Sequence, residues 1–372
     1  MIGTTSRAFG CPQRYIQGVG EFDKLPLYAK SLGKRPFFII DKGVYSLLHE
    51  RLEAFRPNME FGFYLFEGES CVEVIEGAKT ALCFYGGDVV IALGGGKCID
   101  AAKFVSDDLD LPRIIVPTAA STDAPAAGIS ILYTKDGVHI KSVKLKRPSD
   151  LILLDSQIIA DAPARLFSAG IGDALATYFE ALANEATDSM NFIGSGYRRC
   201  RASMAIAREC YDILMSDGEN ALLAVKQNLV TEAVENVIEA NTLLSGLGFE
   251  NTGCACAHGL HSGFSEIESA HALLHGEKVA FGLICQLVLE NKPKELIDKI
   301  VRFLMAVDLP VHLRELNIEP TEENLHIIVE HTLKHNNLIY NEPLVVTAER
   351  LRSVILAADL IGRRYCFGQA SQ

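Results

Sequence analysis

The chain has 372 residues, more than one hydrophobic core usually holds, so we expect two domains that share a cleft. Its 49% apolar and 22% charged residues are typical of a well-packed globular protein and argue against disorder. A net charge of -12 and the lack of a long Lys/Arg cluster argue against nucleic-acid binding. Because no segment resembles a signal peptide or a membrane helix, the sequence predicts a soluble, cytoplasmic protein.

The ten cysteines are scattered along the chain and are predicted to be reduced and mostly buried. Cys254 and Cys256, close to His258, are the one group that competes as metal ligands. A structural zinc site would normally need a second closely spaced pair, which the sequence lacks. Burial is therefore the favoured interpretation of these two thiols.

The first half of the chain alternates β-branched runs with amphipathic segments, the pattern of a parallel sheet whose strands are connected by helices. It predicts strands at 36–40, 61–66, 88–93 and 114–116 and a helix at 72–85. Two further β-rich runs, 129–134 and 138–143, are joined by an Asp-Gly pair that favours a hairpin, and a last strand follows at 151–154.

After residue 161 the sequence changes to segments rich in Ala, Leu and Glu with helical periodicity, at 163–183, 198–215, 221–245 and 349–362. The prediction is therefore an α/β domain with a Rossmann-like parallel sheet over residues 1–162, followed by an all-α domain over residues 163–372.

The run Gly94-Gly95-Gly96-Lys97 lies between a predicted strand and a predicted helix. Free amides and the dipole at such a helix N-terminus hold phosphate groups, and glycines allow close approach to the backbone. The spacing fits neither a P-loop nor the Gly-x-Gly-x-x-Gly fingerprint, since Ile91, Cys98 and Ile99 occupy the required positions. Taken alone, the run also fits a tight turn without a ligand.

Asp41 follows an early strand, the position at which Rossmann-like sheets place a carboxylate that accepts hydrogen bonds from the adenosine ribose. Its charge would repel a 2′-phosphate, which favours NAD over NADP. An aspartate that merely begins a turn is the alternative.

Two histidine pairs, His258-x-x-His261 and His271-x-x-x-His275, lie close together in the helical half. Each spacing puts both rings on one helix face, and neutral imidazoles are common metal ligands. The pairs indicate a metal site that still needs a third ligand.

Several motifs, taken together, resemble those of the glycerol dehydrogenases in the iron-containing alcohol dehydrogenase superfamily. The first is Gly-Gly-Gly-Lys-x-x-Asp-x-x-Lys at 94–103, and the others are the segments 117–125, 170–177, 246–250, 257–261 and 275–282. They stand in the family's order and fall in both predicted domains. The resemblance implies the dehydroquinate synthase-like architecture.

The resemblance also implies a cofactor, a metal and their ligands. The metal is zinc, with iron as the alternative because the same nitrogen and oxygen ligands accept both, and it is held by Asp173, His258 and His275. NAD is implied at Asp41, Gly94, Gly95, Gly96, Lys97, Cys98, Thr118, Ser121, Ala127, Ile129 and Tyr133. His261 is implied to lie beside this ligand set, and His271 is expected to be a neighbour or a surface residue.

The implied reaction is the reversible, NAD-dependent oxidation of glycerol to dihydroxyacetone by hydride transfer from a zinc-bound alkoxide, in a homo-oligomer expected to be an octamer. Asp123 is implied as the residue that accepts a hydrogen bond from a polyol hydroxyl. Without the resemblance, a helix cap or an Asx-turn is the simpler interpretation of Asp123.

Departures from the family pattern leave the substrate open. Ala127 replaces a serine, Asn251-Thr252 replaces Ser-Gly, and Cys254 and Cys256 replace small or apolar residues. A dehydrogenase for another diol or hydroxy compound is therefore the first alternative. A dehydroquinate-synthase-like lyase and a nucleotide-binding protein without catalysis are the others.

Overall fold

The structure, a computed structural model, describes residues 5–194, 196–335 and 337–368. Its strands are β1 (Tyr15–Gly18), β2 (Pro36–Asp41), β3 (Gly62–Phe66), β4 (Val89–Gly94), β5 (Arg113–Pro117), β6 (Ile129–Tyr133), β7 (His139–Lys144) and β8 (Leu151–Asp155). The α-helices before the last strand are α1 (Leu25–Leu32), α2 (Lys42–Glu53), α3 (Val72–Tyr85) and α4 (Gly96–Asp108).

Helices alone follow the last strand in the described residues. They are α5 (Ser156–Asp161), α6 (Ala164–Thr187), α7 (Arg201–Val225), α8 (Glu232–Glu239), α9 (Ser245–Thr252), α10 (Cys256–Phe264), α11 (His275–Leu289), α12 (Lys294–Ala306), α13 (Glu322–His335) and α14 (Ala348–Gly368). A π-helical turn, Ala240–Leu244, joins α8 to α9. None of the described helices has the length and apolarity needed to cross a bilayer.

Six strands form one parallel sheet in the order β1-β8-β5-β4-β2-β3, which confirms the predicted fold class. Its central strands are buried along nearly their whole length because helices cover both faces. Alternate residues serve the two faces: Ile39, Val90 and Ile115 join one core, and Phe38 and Ile91 join the other. Strands β6 and β7 form a separate antiparallel hairpin, as predicted.

The structure differs from the predicted elements at two places in particular. The strand β1 was missed because it is a four-residue edge strand, Tyr-Ile-Gln-Gly, whose residues are all half-buried and show no alternation. The segment 221–245 was predicted to be helical along its length, but α7 ends at Val225. Asn228 then takes a φ of 56°, and Thr231 caps the new helix by accepting from the Val234 amide at 3.4 Å.

Helix α6 runs through the middle of the helical half and is buried along most of its 24 residues. Gly276, in the first turn of α11, lies directly against the backbone of α6. A Cβ atom on Gly276 would lie 1.8 Å from the Ala169 carbonyl oxygen. Only glycine permits this approach. The contact places His275 beside Asp173, which lies one turn after Ala169 on α6.

Candidate active site

The glycine run lies at the carboxyl edge of the sheet, between the end of β4 and the start of α4. Gly95 is the N-cap of α4, and no side chain caps the helix. A Cβ on Gly95 would meet nothing within 4 Å, whereas one on Gly94 would lie 3.0 Å from the Asp41 Cβ atom. The run therefore leaves open space beside uncapped amides, the arrangement that suits a phosphate group.

Lys97 and Cys98, which follow the three glycines, have side chains that already contact other protein groups. The Lys97 ammonium pairs with the Glu69 carboxylate. The Cys98 side chain is buried, and its sulfur lies 3.4 Å from the Ile39 carbonyl oxygen. Lys97 and Cys98 can therefore offer a phosphate their backbone amides rather than free side chains.

Asp41 ends β2 and caps α2. Its Oδ1 accepts from the Gly43 amide at 2.9 Å and from the Val44 amide at 3.2 Å. The interpretation of Asp41 as a residue that begins a turn therefore accounts for its Oδ1 atom, which caps the helix. A ribose contact through the other oxygen remains a prediction.

The loop between β5 and β6, residues 118–128, crosses the same edge of the sheet. Thr118 joins the strand ends because its amide donates to the Gly94 carbonyl at 3.2 Å. Ser121 is half-buried on the loop, and Ile129 and Tyr133 begin and end β6. Burial raises the pKa of the Tyr133 hydroxyl, so this group stays protonated.

A buried lysine holds this loop in place. The Lys103 ammonium, on α4, donates to the carbonyl oxygens of Ala124, of Ala127 at 2.7 Å and of Ile129 at 3.3 Å. Its side chain is fully buried, which lowers its pKa to about 8 despite the opposing charge of Asp100. Sequence reasoning assigned Lys103 no role, although this lysine closes the Gly-Gly-Gly-Lys-x-x-Asp-x-x-Lys motif at 94–103.

Three donor groups meet where α6, α10 and α11 converge. The Asp173 Oδ1 atom lies 3.2 Å from His258 Nε2 and 3.0 Å from His275 Nε2. One ligand atom of each residue lies within 4.8 Å of the others. One carboxylate and two imidazoles form a donor set that suits zinc or ferrous iron.

The electrostatics of this cluster favour an ionised Asp173. Burial alone would raise its pKa, but the imidazoles of His275 and His258 hold it below the ordinary value. Burial disfavours a charged His258, yet Glu180 and Asp173 raise the pKa of its ring well above the usual range. The pocket therefore attracts positive charge.

The other members of the two predicted histidine pairs, His261 and His271, differ in position. The His261 Nε2 atom lies 3.0 Å from His275 Nδ1, so one ring donates to the other and the orientation of His275 is fixed. His271 is exposed and bonds to the Ser265 carbonyl oxygen at 3.1 Å. Of these two, His261 lies beside the cluster and His271 does not.

Glu180, fully buried on α6, lies directly behind His258. Its Oε2 atom is 2.6 Å from His258 Nδ1, and its Oε1 atom accepts from the amides of Ala255 at 2.8 Å and His258 at 3.0 Å. The carboxylate thus fixes both the ring and the first turn of its helix. Sequence reasoning missed Glu180, although it follows Asp173 by two helical turns and therefore shares its helix face.

Other side chains complete the cap of α10. Glu342 Oε1 accepts from the Cys256 amide at 2.9 Å, and Gln286 Oε1 accepts from the Ala257 amide at 3.2 Å. The amides at a helix N-terminus have no partners within the helix, so buried ones need acceptors from elsewhere. Three separate segments supply them here.

Asp123 links the loop of the α/β half to the metal-ligand candidates. Its amide lies 3.4 Å from Asp173 Oδ2, and its own Oδ2 accepts from the Ser245 hydroxyl at 2.9 Å. The preceding Thr122 has its Oγ1 atom 3.3 Å from the position a Cβ on Gly96 would take. Consecutive loop residues therefore connect the glycine run with the three-donor cluster.

Three of the residues that depart from the family pattern differ in their relation to the pocket. Asn251 is buried and bonds to both backbone groups of Gly10, at 2.7 and 2.9 Å, and Cys256 is fully buried. Cys254 alone lies beside a candidate ligand, within 4.8 Å of His258 and Glu180. The departures at 251 and 256 therefore concern packing rather than the pocket.

Comparison with known proteins identifies the family to which the chain is similar. The sequence model of the family "Iron-containing alcohol dehydrogenase" matches residues 12–156. A glycerol dehydrogenase of Escherichia coli O6:H1 is 39% identical over 96% of this chain and 98% of its own length. A glycolaldehyde reductase of Halobacterium salinarum is 37% identical over 96% and 98%.

A solved structure shows the same fold over nearly the whole chain. The probable glycerol dehydrogenase of Sinorhizobium meliloti superposes with a TM-score of 0.91 at 43% identity, covering 96% of this chain and 99% of its own.

The contacts of Glu180 generate a first prediction. Replacing Glu180 by Gln keeps the volume but removes the charged acceptor for His258 Nδ1, so the affinity of the three-donor cluster for added Zn²⁺, used as a probe, should fall by roughly 10- to 100-fold. Competition with a chromophoric chelator measures this affinity. Glu185→Gln, on the exposed side of the same helix, is the matched control. Equal affinity in both variants would show that Glu180 does not orient the ring.

A second prediction concerns pH. Burial, and then the charge of Glu290, raises the pKa of Glu342 to about 9. A carboxyl group whose pKa is raised by folding stabilises the fold below its unfolded-state pKa, and this contribution is lost as pH rises through the folded-state value. Gln mimics the protonated form, so the stability of Glu342→Gln relative to wild type should increase between about pH 5 and about pH 9.

Urea unfolding at constant metal occupancy measures this difference, with the exposed Glu349→Gln as control. A pH-independent difference between Glu342→Gln and wild type would contradict the prediction.

Proposed function

The chain belongs to the iron-containing alcohol dehydrogenase family and is an oxidoreductase that acts on alcohols, and we propose that it interconverts glycerol and dihydroxyacetone with NAD and one bound zinc ion. One observation carries the proposal: the Thr122-Asp123 pair spans the distance between the glycine run and the cluster of Asp173, His258 and His275. A dehydrogenase needs its cofactor and its substrate side by side.

The residues present fit both groups. Asp173, His258 and His275 would hold the metal, because their donor atoms converge in a pocket that favours positive charge. The amides around Gly95 would hold the pyrophosphate, because the space beside them is open. When bound, the metal supplies Lewis acidity toward a substrate oxygen and NAD supplies the hydride acceptor.

The chain itself contributes position and protonation. Glu180 and His261 hold the two imidazoles through their second nitrogens, which leaves both Nε2 atoms directed at Asp173. Lys103 fixes the loop that carries Asp123. Burial and the charge of Asp173 raise the pKa of Asp123, whose carboxyl group can bind a polyol hydroxyl beside the cluster.

Three parts of the proposal rest on family resemblance and position. Asp41 at the end of β2 favours NAD over NADP, because its charge opposes a 2′-phosphate. The donor set takes zinc or iron, of which we propose zinc. We expect a homo-octamer located in the cytoplasm, and a monomer in gel filtration would refute the oligomer. We also expect the boundary between the two domains at residue 162.

The metal assignment makes a direct prediction. His258→Ala should lose bound zinc and lower kcat/KM for glycerol at least about a hundredfold, because several kcal/mol of charge stabilisation disappear. Elemental analysis and the glycerol-dependent reduction of NAD are the measurements. His271→Ala, at the exposed histidine, should keep both zinc and activity. Full activity in His258→Ala would disprove the ligand assignment.

A second candidate substrate is glycolaldehyde, favoured by the 37% identity to the reductase from Halobacterium salinarum. Both substrates are small hydroxy compounds, and pocket volume and polarity decide between them. We expect a higher kcat/KM for the glycerol and dihydroxyacetone pair than for ethylene glycol and glycolaldehyde, with alcohol oxidation measured with NAD⁺ and carbonyl reduction measured with NADH. The reverse order would replace glycerol by the two-carbon substrate without changing the metal assignment.

A further inference from the structure

A second group of possible metal ligands lies on a different part of the helical half. It consists of His312, Glu315 and Cys366, with one ligand atom of each within 4.8 Å of the others. It shares no residue with the cluster of Asp173, His258 and His275. We propose that these three side chains bind a divalent transition-metal cation such as zinc at a second, non-catalytic site.

Local structure brings the first two ligands together. His312 is the N-cap of the 3-10 turn Leu313–Leu316, and the Glu315 amide donates back to the His312 carbonyl at 3.1 Å. Their side chains therefore lie on one side of a tight turn, with His312 Nε2 3.8 Å from Glu315 Oε2. That carboxylate oxygen also accepts from the Val311 amide at 2.8 Å, which fixes its direction.

The third ligand arrives through a close helix contact. A Cβ on Gly362 of α14 would lie 1.8 Å from the Val311 carbonyl oxygen and 3.2 Å from the His312 Cβ atom. The helix therefore rests directly on the backbone that precedes the turn. Cys366 follows Gly362 by four residues, so it lies on the same helix face and reaches the His312 side of the turn. Asp359 adds a second link by accepting from the Leu313 amide at 2.9 Å.

One imidazole nitrogen at this site lacks a hydrogen-bond partner among the described residues. His312 is 8% exposed, and its Nδ1 atom is buried without a hydrogen-bond partner among the described residues. A buried imidazole nitrogen normally has one. The half-buried Cys366 offers a sulfur that becomes a strong ligand once the cation displaces its proton to solvent.

The donor types select the class of cation. A thiolate, an imidazole and a carboxylate suit zinc and its cobalt substitute, whereas magnesium and calcium prefer sets made of oxygen alone. Three protein ligands leave a position for water. A cation here would connect the end of α14 to the turn at 313–316 and so stabilise the last helix.

Cobalt provides a spectroscopic test that separates the two metal sites. Chelator-stripped full-length protein is titrated with Co²⁺ under anaerobic, reducing conditions, and the thiolate-to-cobalt charge-transfer band in the near ultraviolet is recorded. The first cluster contains no thiol, so the band should report the second site. We expect the band in wild type and its complete loss in Cys366→Ser, which should also bind one equivalent of metal fewer while keeping wild-type glycerol turnover.

Two controls make the result decisive. Cys83→Ser removes an exposed thiol elsewhere and should keep the band, and Cys254→Ser removes the thiol near His258 and should also keep it. Glu315→Gln, at an exposed carboxylate, should weaken the cobalt affinity of the band-forming site at least tenfold without affecting folding. Absence of the band in wild type, its persistence in Cys366→Ser, or its loss in Cys254→Ser would each overturn the proposal.

Discussion

The arrangement of the candidate active site depends on the buried carboxylate of Asp173. An ionised carboxylate without partners is expensive to bury, so its surroundings must supply positive charge or hydrogen-bond donors. Here His258, His275 and the amide of Asp123 converge on it, from two helices and from the loop of the α/β half. The same convergence that compensates the charge of Asp173 creates a site for a cation.

Further polar side chains, each of them buried, hold these partners in place. Glu180 fixes His258 and the start of its helix, and Lys103 fixes the loop that carries Asp123. Glu250 strengthens the link between the two halves, because its Oε2 atom accepts from the Gly128 amide of that loop at 2.9 Å. The site is therefore built from rigid elements whose buried polar groups satisfy one another, which is the condition for accurate positioning.

Close backbone contacts set the positions of the ligands along the chain. Gly276 lets the first turn of α11 touch α6 and so brings His275 to Asp173, and Gly362 lets α14 rest beside His312. At each contact an added Cβ atom would clash with a backbone carbonyl oxygen, so a side chain would force the two segments apart. The two proposed metal sites thus depend on the same device in different parts of the helical half.

The sequence by itself determined the features that short segments encode. Runs of β-branched residues identified the parallel strands other than β1, and hydrophobic periodicity identified the helix at 72–85, because burial leaves a local pattern of apolar residues. Histidine spacing and the glycine run marked two components of the site. The sequence did not determine β1, the engagement of Lys97 by Glu69, or the role of Glu180. Asp173 is separated by 85 residues from His258 and by 102 from His275, and only the family resemblance connected them beforehand. Tertiary structure decided these contacts, because they follow from how helices pack against one another and no local pattern records that packing.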